Sequence, residues 1–311
     1  MTNKEMIDEI NKLKKEKNAV ILAHNYELPE IQDLADFVGD SLGLSQQAAK
    51  VDADVILFCG VHFMAETASI ISPNKTVLIP DLAAGCSLAD SMTADELRKW
   101  KSENPDAVVV SYVNTTAEVK AETDYCCTSS NAVKVVESIP KDKTILFGPD
   151  QHLGGYVAAA TGRDIKIWNG ACHVHKEITE IDFDKKMEEN PNADFLIHPE
   201  CGCSTSCLLK SANSKNEIKV YSTEGMITHI ENSKNNEFII ATETGIIHRL
   251  KKHRSDAKFI AMKDDSICEY MKMITLDKVL DALKYDQHVV KVPEALAEKA
   301  RIPIERMLEI S

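Results

Sequence analysis

Short apolar runs rich in β-branched residues alternate along the chain with longer stretches in which apolar residues recur at helical spacing. We predict strands at 19–23, 55–59, 76–80, 107–111, 144–147, 165–168, 194–197, 218–221, 238–241 and 258–262. We predict the helices between them at 30–50, 63–71, 129–138, 153–161, 205–212, 224–231 and 244–253. Strands that alternate with helices are typical of a parallel sheet with helices on its faces. The pattern therefore predicts an α/β fold, with room for one further strand in each of the first two thirds.

The two ends of the chain have helical patterns without strands. Residues 4–17 place Ile7, Ile10 and Leu13 on one face among lysines and glutamates, which indicates a surface helix that packs on the body. Apolar residues recur at helical spacing from Leu276, and Pro293 opens another apolar helix. We expect these last helices to form a C-terminal cap.

The α/β pattern occurs three times. The segments 19–26, 107–114 and 193–200 align residue for residue without a gap. The residues that share two positions of this alignment are His24, Tyr112 and His198, and then Tyr26, Asn114 and Glu200. The last strand of each unit is followed by a cysteine, which is Cys86, Cys172 or Cys268. Self-similarity with so long a period indicates repeated domains and not a solenoid.

This repetition sets the predicted architecture. We predict three pseudo-symmetric three-layer α/β/α domains with parallel sheets, arranged around a central cavity. The predicted segments are an N-terminal helix at 1–18, α/β repeats at 19–95, 96–185 and 186–272, and a helical cap at 273–311. Each repeat is long enough to bury a core of its own.

Polar residues follow the first strand of each unit, and the three cysteines follow the last. Ligands of open parallel α/β sheets bind beyond the carboxyl ends of the strands. If the three units meet around a pseudo-threefold axis, all of these groups converge in one central cavity.

A hydroxyl residue also recurs after each opening segment. Ser41 is 17 residues after His24, and Ser129 is 17 residues after Tyr112. In the third unit the candidate is Thr223, which is 25 residues after His198. These hydroxyls are candidate helix N-caps, and that role is compatible with binding of a carboxylate or phosphate at the helix start.

Charge and composition narrow the class of protein. The formal net charge of -13 argues against nucleic acid or an anionic membrane as a general partner, because both require a positive field. Residues 1–18 are charged throughout and lack the apolar core of a secretory signal. No stretch approaches the roughly 18 apolar residues of a membrane span. We therefore expect a cytoplasmic location and no membrane partner.

The nine cysteines, an odd number, favour thiols or metal ligands over a disulfide framework. Three cysteines from three domains can hold three irons of a cubane cluster and leave the fourth iron open as a Lewis acid. Zinc bound by three thiolates is the rival interpretation, although structural zinc usually uses close pairs of cysteines. A single buried cysteine is more often a core residue, and Cys59, Cys126 and Cys127 are assigned to that class.

Seven motifs, in order within this three-repeat frame, resemble the quinolinate synthase family. They are His24-Asn-Tyr26, Gly39-Asp-Ser41, Tyr112-Val-Asn114, Cys172-x-Val-His175, His198-Pro-Glu200, Thr242-Glu-Thr-Gly-Ile-Ile-His248 and Cys268-x-x-Met271-Lys. The resemblance extends from about residue 19 to residue 285. No single motif would be specific enough by itself.

The resemblance implies three similar α/β domains around one 4Fe-4S cluster per subunit, ligated by Cys86, Cys172 and Cys268. It implies condensation of iminoaspartate with dihydroxyacetone phosphate to quinolinate, with release of phosphate and water, in NAD biosynthesis. It also implies a transient contact with L-aspartate oxidase. The substrate-binding residues implied are His24, Ser41, Tyr112, Val113, Asn114, Ser129, His198, Pro199, Glu200 and Thr223. The catalytic residues implied are Glu200, Tyr26, Tyr112 and His175.

One segment departs from the family pattern. Cys201, Cys203 and Cys207 lie in an insertion that the other two repeats lack, and we expect them not to bind the cluster. Two other functions remain open from the residues alone. One is a non-enzymatic iron-sulfur sensor or carrier, which would not need so many polar groups in a cavity. The other is a cluster-dependent lyase that acts on a hydroxy acid.

Overall fold

Three four-stranded parallel sheets form the framework of the protein, which is described by a computed structural model over residues 1–212 and 214–310. The strands are β1 (Ala19–His24), β2 (Phe37–Gly39), β3 (Val55–Cys59), β4 (Thr76–Leu78), β5 (Val108–Tyr112), β6 (Tyr125–Cys127), β7 (Ile145–Gly148), β8 (Ile165–Ile167), β9 (Asp194–Ile197), β10 (Ile218–Val220), β11 (Glu237–Ala241) and β12 (Lys258–Ala261). Their orders are β2-β1-β3-β4, β6-β5-β7-β8 and β10-β9-β11-β12. The strand order is thus the same in all three sheets, which confirms the predicted pseudo-symmetric α/β/α units.

Helices connect and cover the strands. They are α1 (Asn3–Glu16), α2 (Pro29–Leu34), α3 (Ser41–Lys50), α4 (His62–Ile71), α5 (Ala94–Ser102), α6 (Ala117–Lys120), α7 (Ala132–Ser138), α8 (Gln151–Thr161), α9 (Glu180–Glu189), α10 (Ser204–Ser211), α11 (Thr223–Asn232), α12 (Ile246–His253), α13 (Leu276–Tyr285) and α14 (Glu294–Glu309). Among the described residues, no helix has the length and apolar character needed to cross a bilayer.

The sequence explains where several elements begin and why the strands are buried. Every residue of β3 is buried, as expected for a parallel strand covered by helices on both faces. Thr93 and Glu96 form a capping box at the start of α5. The Asp150 side chain accepts the Leu153 N–H at the start of α8.

The prediction of one helix at 30–50 is wrong. The structure breaks this stretch into α2, the short strand β2 and α3. Ala35 has extended backbone, and the Asp36 carboxylate accepts the Ile21 N–H at 2.8 Å, which fixes the chain beside β1. Asp40 then caps α3. Strand β2 and its counterpart β6 are the two strands that the sequence pattern did not locate.

The terminal helices pack on the repeated units. Helix α1 packs against α13, and α14 packs against α4, α6 and β6. Asn131 Nδ2 donates to the Met307 carbonyl, so α14 is also joined to the second unit by a buried hydrogen bond. The strands of each sheet fall within one predicted repeat, whereas the boundaries of the five predicted segments stay predictions.

Candidate functional site

Each of the three cysteines that follow a last strand begins the same local turn. The residue four positions later donates its N–H to the cysteine carbonyl at 3.0–3.2 Å in all three units. A three-residue 3₁₀ turn begins three positions after each cysteine, and the turns are Ala89–Ser91, His175–Glu177 and Met271–Met273. Cys86, Cys172 and Cys268 therefore share one backbone conformation, and all three line one central cavity.

The thiols face backbone N–H groups of their own turns. Cys86 Sγ lies 3.5 Å from the Ala89 nitrogen. Burial is the main cause that raises the pKa of Cys86 to about 12 and that of Cys268 to about 11, and it raises the pKa of Cys172 as well. These groups are therefore neutral thiols at pH 7 unless a cation or cluster draws off their protons.

Two buried carboxylates support the cysteine turns. Asp150 Oδ2 accepts the Cys172 N–H at 3.4 Å, and Glu243 Oε1 accepts the Cys268 N–H at 3.2 Å. Both carboxylates lie two residues beyond the third strand of their unit, where the first unit has Val61. Carboxylates that orient metal-ligand residues in this way are common around metal centres.

A chain of polar side chains forms another part of the cavity wall. Tyr112 donates its hydroxyl to Glu200 Oε1 at 2.5 Å. Glu200 Oε2 lies 3.5 Å from His175 Nδ1, and His175 Nε2 lies 2.9 Å from Thr242 Oγ1. Thr242 Oγ1 is also 2.5 Å from the Tyr26 hydroxyl. Side chains from all three units thus form one row, in which the contact between Glu200 and His175 is not a hydrogen bond.

Burial sets the protonation states of the histidines and of Glu200 in the cavity wall. It lowers the pKa of His24 and His175 to about 3 and that of His198 well below its usual range. Burial, with Asp150 nearby, raises the pKa of Glu200 to about 8. The imidazoles are neutral at pH 7, so their contacts with Glu200 are not ion pairs. The cavity therefore presents hydrogen-bonding groups and few fixed charges.

The three recurring hydroxyls lie at the cavity but are not the helix caps. Asp40 caps α3 and Ser222 caps α11, while Ser41 and Thr223 are the first residues of those helices. Ser129 comes two residues before Asn131, the residue that precedes α7. Ser41, Ser129 and Thr223 all line the cavity. Their hydroxyls are therefore not required for capping.

The structure brings together thirteen of the fifteen residues singled out in the sequence. Those that line the central cavity are His24, Tyr26, Ser41, Cys86, Tyr112, Asn114, Ser129, Cys172, His175, His198, Glu200, Thr223 and Cys268. Val113 and Pro199 are buried but are not among the described residues that line the cavity. Each lies between two lining residues, in a bend or turn that directly follows the first strand of its unit. The roles of all fifteen residues stay predictions.

Sequence reasoning assigned no role to several groups of the site, although Thr242 opens one of the seven motifs. Thr242 joins Tyr26 to His175, and it follows β11 directly, as a polar residue at a strand end would. Asn25 donates to Thr223 Oγ1 at 2.7 Å, and Arg249 in turn donates to Asn25 Oδ1 at 2.5 Å. The position of Thr242 at a strand end was a usable signal, whereas nothing in the sequence joined Arg249 to Asn25.

The donor groups of the cavity suit a metal centre. Atoms of Cys172, His175 and Glu200 lie within 4.8 Å of one another. Two buried atoms, His175 Nδ1 and Asn114 Oδ1, have no hydrogen-bond partner among the described residues. Such atoms are costly to bury unless a ligand or solvent satisfies them. The wall is therefore suited to both a thiolate-bound metal group and a polar substrate.

Cys201, Cys203 and Cys207 lie in a separate part of the third unit. They pack in the core of the third unit with Phe183 and Phe195, and they are not among the described residues that line the cavity. The Cys201 thiol faces the Ala241 carbonyl at 3.1 Å. Their surroundings are those of core residues.

Comparison with known proteins adds an independent finding. The family model described as "Quinolinate synthetase A protein" matches residues 8–309. A quinolinate synthase from Pyrobaculum aerophilum is 54% identical over 304 residues, which cover 98% of this chain and 99% of the relative. One from Thermus thermophilus is 53% identical over 310 residues, covering 100% and 99%. One from Mycobacterium leprae is 51% identical over 306 residues, covering 97% and 87%. Because the match extends over nearly the whole chain, the chain belongs to the quinolinate synthetase A family.

Proposed function

We propose that the protein is a quinolinate synthase, which condenses iminoaspartate with dihydroxyacetone phosphate to form quinolinate in NAD biosynthesis. The reaction releases one phosphate and two molecules of water, which balances the atoms of the two substrates. The proposal is supported by family membership and by relatives named quinolinate synthase that cover the full chain. It accounts for a cavity that contains hydrogen-bonding groups from three units.

The strongest support for the proposal is that cysteines and acid-base groups share one cavity. Three cysteines in equivalent turns, one from each unit, line the cavity that also contains the row from Tyr112 to Tyr26. A sensor or electron carrier would need the cysteines but would have no use for the row. A simple hydrolytic enzyme would need the row but no such set of thiols.

We further propose that Cys86, Cys172 and Cys268 hold one 4Fe-4S cluster per subunit. Three thiolates suit a cubane cluster with one iron free of protein ligands, and their wide separation in sequence is unlike a local zinc site. When bound, the cluster supplies an open iron that acts as a Lewis acid toward a substrate oxygen.

In this proposal Glu200 moves protons during ring formation. The reaction requires removal of a proton from carbon and protonation of departing hydroxyl groups, which suit a carboxyl group with a pKa near 8. Tyr112 holds one oxygen of Glu200 in place. Tyr26 and His175 share Thr242, so a proton can pass along the row between them.

The remaining polar groups of the wall would bind the substrates. Iminoaspartate has two carboxylates, and the hydroxyls of Ser41 and Thr223 lie at the first residues of α3 and α11. Free N–H groups at a helix start favour such anions. We propose the same binding role for His24, Asn114, Ser129 and His198, and for the backbone at Val113 and Pro199.

The proposed reaction also bears on the partner and the location of the protein in the cell. Iminoaspartate has to be supplied by oxidation of aspartate, so we propose a transient contact with L-aspartate oxidase. We also propose that the protein works in the cytoplasm.

An anaerobic assay tests the proposed function. The protein is reconstituted with iron and sulfide and given iminoaspartate with dihydroxyacetone phosphate, and both quinolinate and phosphate are measured. Equal amounts of the two products are expected. In a parallel sample given a hydroxy acid alone, dehydration would favour a lyase instead. A bound cluster with no turnover in either sample would favour a sensor.

A further inference from the structure

The residues directly after the three cysteines form a second contact among the units. Ser87 follows Cys86, His173 follows Cys172 and Glu269 follows Cys268. Ser87 Oγ lies 2.6 Å from His173 Nδ1, and His173 Nε2 lies 3.0 Å from Glu269 Oε2. Since the three cysteine turns are equivalent, these three side chains occupy equivalent positions of the repeat. One imidazole therefore joins all three units.

The contacts of His173 are chemically consistent. A carboxylate can only accept, so the Nε2–H of His173 donates to Glu269. The Ser87 hydroxyl can donate or accept, so it satisfies Nδ1 in either protonation state of the ring. The Tyr270 ring, also from the third unit, packs edge-on against His173 with centroids 5.8 Å apart. Both ends and one face of the imidazole are thus occupied.

Two members of this group are more exposed than the polar side chains deeper in the cavity. The side chains of His173 and Glu269 are 31% and 63% exposed, whereas the row of Tyr26, His175 and Glu200 is buried. Ser87, His173 and Tyr270 nevertheless line the same cavity as the thiols.

We propose that Ser87, His173 and Glu269 form a clasp that holds the three cysteine turns together and slows loss of the cluster. The clasp acts through the cysteines, so its members are positioning residues. Each cysteine turn belongs to a different unit, and the clasp joins the turns directly at the position next to each ligand. Small relative movements of the units would otherwise separate the thiols. This inference rests on the cluster proposed above.

The test measures release of iron from the reconstituted holoprotein to a ferrous chelator, under reducing and anaerobic conditions. His173→Leu removes both polar contacts while keeping a side chain of similar bulk. We expect iron to be released roughly tenfold faster than from the unaltered protein, a factor consistent with the loss of one or two hydrogen bonds. His173→Gln can keep a donor near Glu269 and should show a smaller increase.

A matched control variant is His253→Leu. His253 Nδ1 lies 2.6 Å from Glu231 Oε1, and its side chain is 30% exposed, so the pair resembles the clasp but lies within the third unit, away from the cysteines. Its iron release should match that of the unaltered protein. Thermal melting of each apoprotein shows whether any substitution destabilises the fold.

If His173→Leu does not fold, Glu269→Ala is the second variant. It removes only an exposed carboxylate and should still raise the rate of iron release, by roughly threefold.

The outcomes separate the two proposals. An unaltered protein that binds no cluster on reconstitution would overturn the proposed cofactor and the clasp with it. An unaltered protein that retains its cluster, beside a His173→Leu variant that releases iron at the same rate, would overturn the clasp alone. Equal acceleration in His253→Leu would also overturn it, because the effect would then be one of general stability.

Discussion

Glu200 lies in the cavity between one phenol and two imidazoles, and none of these three groups is charged at neutral pH. The Tyr112 hydroxyl contacts Oε1, and His198 Nδ1 lies 3.6 Å from the same oxygen. A buried carboxyl group in this setting exchanges protons near neutral pH, as acid-base catalysis requires. We predict that Glu200→Gln lowers kcat by roughly 100-fold or more while substrate binding and iron content are retained.

The measurement is anaerobic turnover together with iron analysis. Tyr112→Phe serves as a companion variant, because it removes the hydroxyl that contacts Oε1 and leaves the carboxyl group. It should lower kcat less than Glu200→Gln does. Near-normal turnover by Glu200→Gln would remove this residue from the mechanism.

Asn114 provides a second test at the level of single residues. Its buried Oδ1 has no partner among the described residues, so a bound substrate is expected to donate a hydrogen bond to it. We predict that Asn114→Leu raises KM by roughly tenfold, the scale of one lost hydrogen bond, and leaves the cluster in place. An unchanged KM with a lower melting temperature would indicate a structural role instead.

Position at or just after the end of a first strand decided which single residues were predictable. Tyr112 and Asn114 face the cavity while Val113 does not, and His198 and Glu200 face it while Pro199 does not. The three aligned strand openings are enough to place the cavity residues in one site. No role was predicted for Thr242 or Arg249, because their importance lies in contacts between units, which depend on packing and not on local pattern.

At the level of elements, the residue that caps a helix start differs from the neighbouring residue that faces the cavity. Ser222 caps α11 by accepting the Gly225 N–H at 3.3 Å, while the next residue, Thr223, faces the cavity. We predict that Ser222→Ala lowers the free energy of unfolding by about 1 kcal/mol. Thr223→Val should instead raise KM, because it loses the hydroxyl and keeps the cap.

Denaturant unfolding and steady-state kinetics on the two variants check this prediction. The same comparison applies to α3, where Asp40 is the cap and Ser41 faces the cavity. If Thr223→Val were destabilised with unaltered KM, the hydroxyl would have only a structural role.

The longer elements were predictable, whereas the three-residue strands were not. The apolar run of β3 is continuous and buried on both faces, so its sequence signal is strong. Strand β2 has only Phe37, Val38 and Gly39, and its position depends on Asp36 contacting β1. So short a run has no periodicity of its own, and the helical pattern on either side hid it.

At the level of the whole molecule, the threefold repeat made the architecture predictable. Three aligned openings and three closing cysteines predicted three similar units around a central cavity. The C-terminal cap was predicted as helical, but its packing of α14 on the first two units was not. Contacts of this kind join residues far apart in sequence, and no repeat pattern records them.

The same repeat yields a prediction that separates the two groups of cysteines. Cys86, Cys172 and Cys268 are equivalent and line the cavity, while Cys201, Cys203 and Cys207 pack in the core of the third unit. We predict that replacing any one of the first three by Ser gives a folded apoprotein without charge-transfer absorbance, because a hydroxyl is a poor ligand for iron-sulfur clusters.

Triple replacement of Cys201, Cys203 and Cys207 by Ala is the matched control, since it also removes three thiols. Their buried positions lead us to expect some loss of stability, but about four irons per chain should remain after anaerobic reconstitution. A small dicarboxylate should perturb the Mössbauer spectra of this variant and of the unaltered protein alike, because the proposed open iron would be the same in both. Loss of iron from the folded triple variant, or a spectrum indifferent to every dicarboxylate, would contradict the assignment of the ligands.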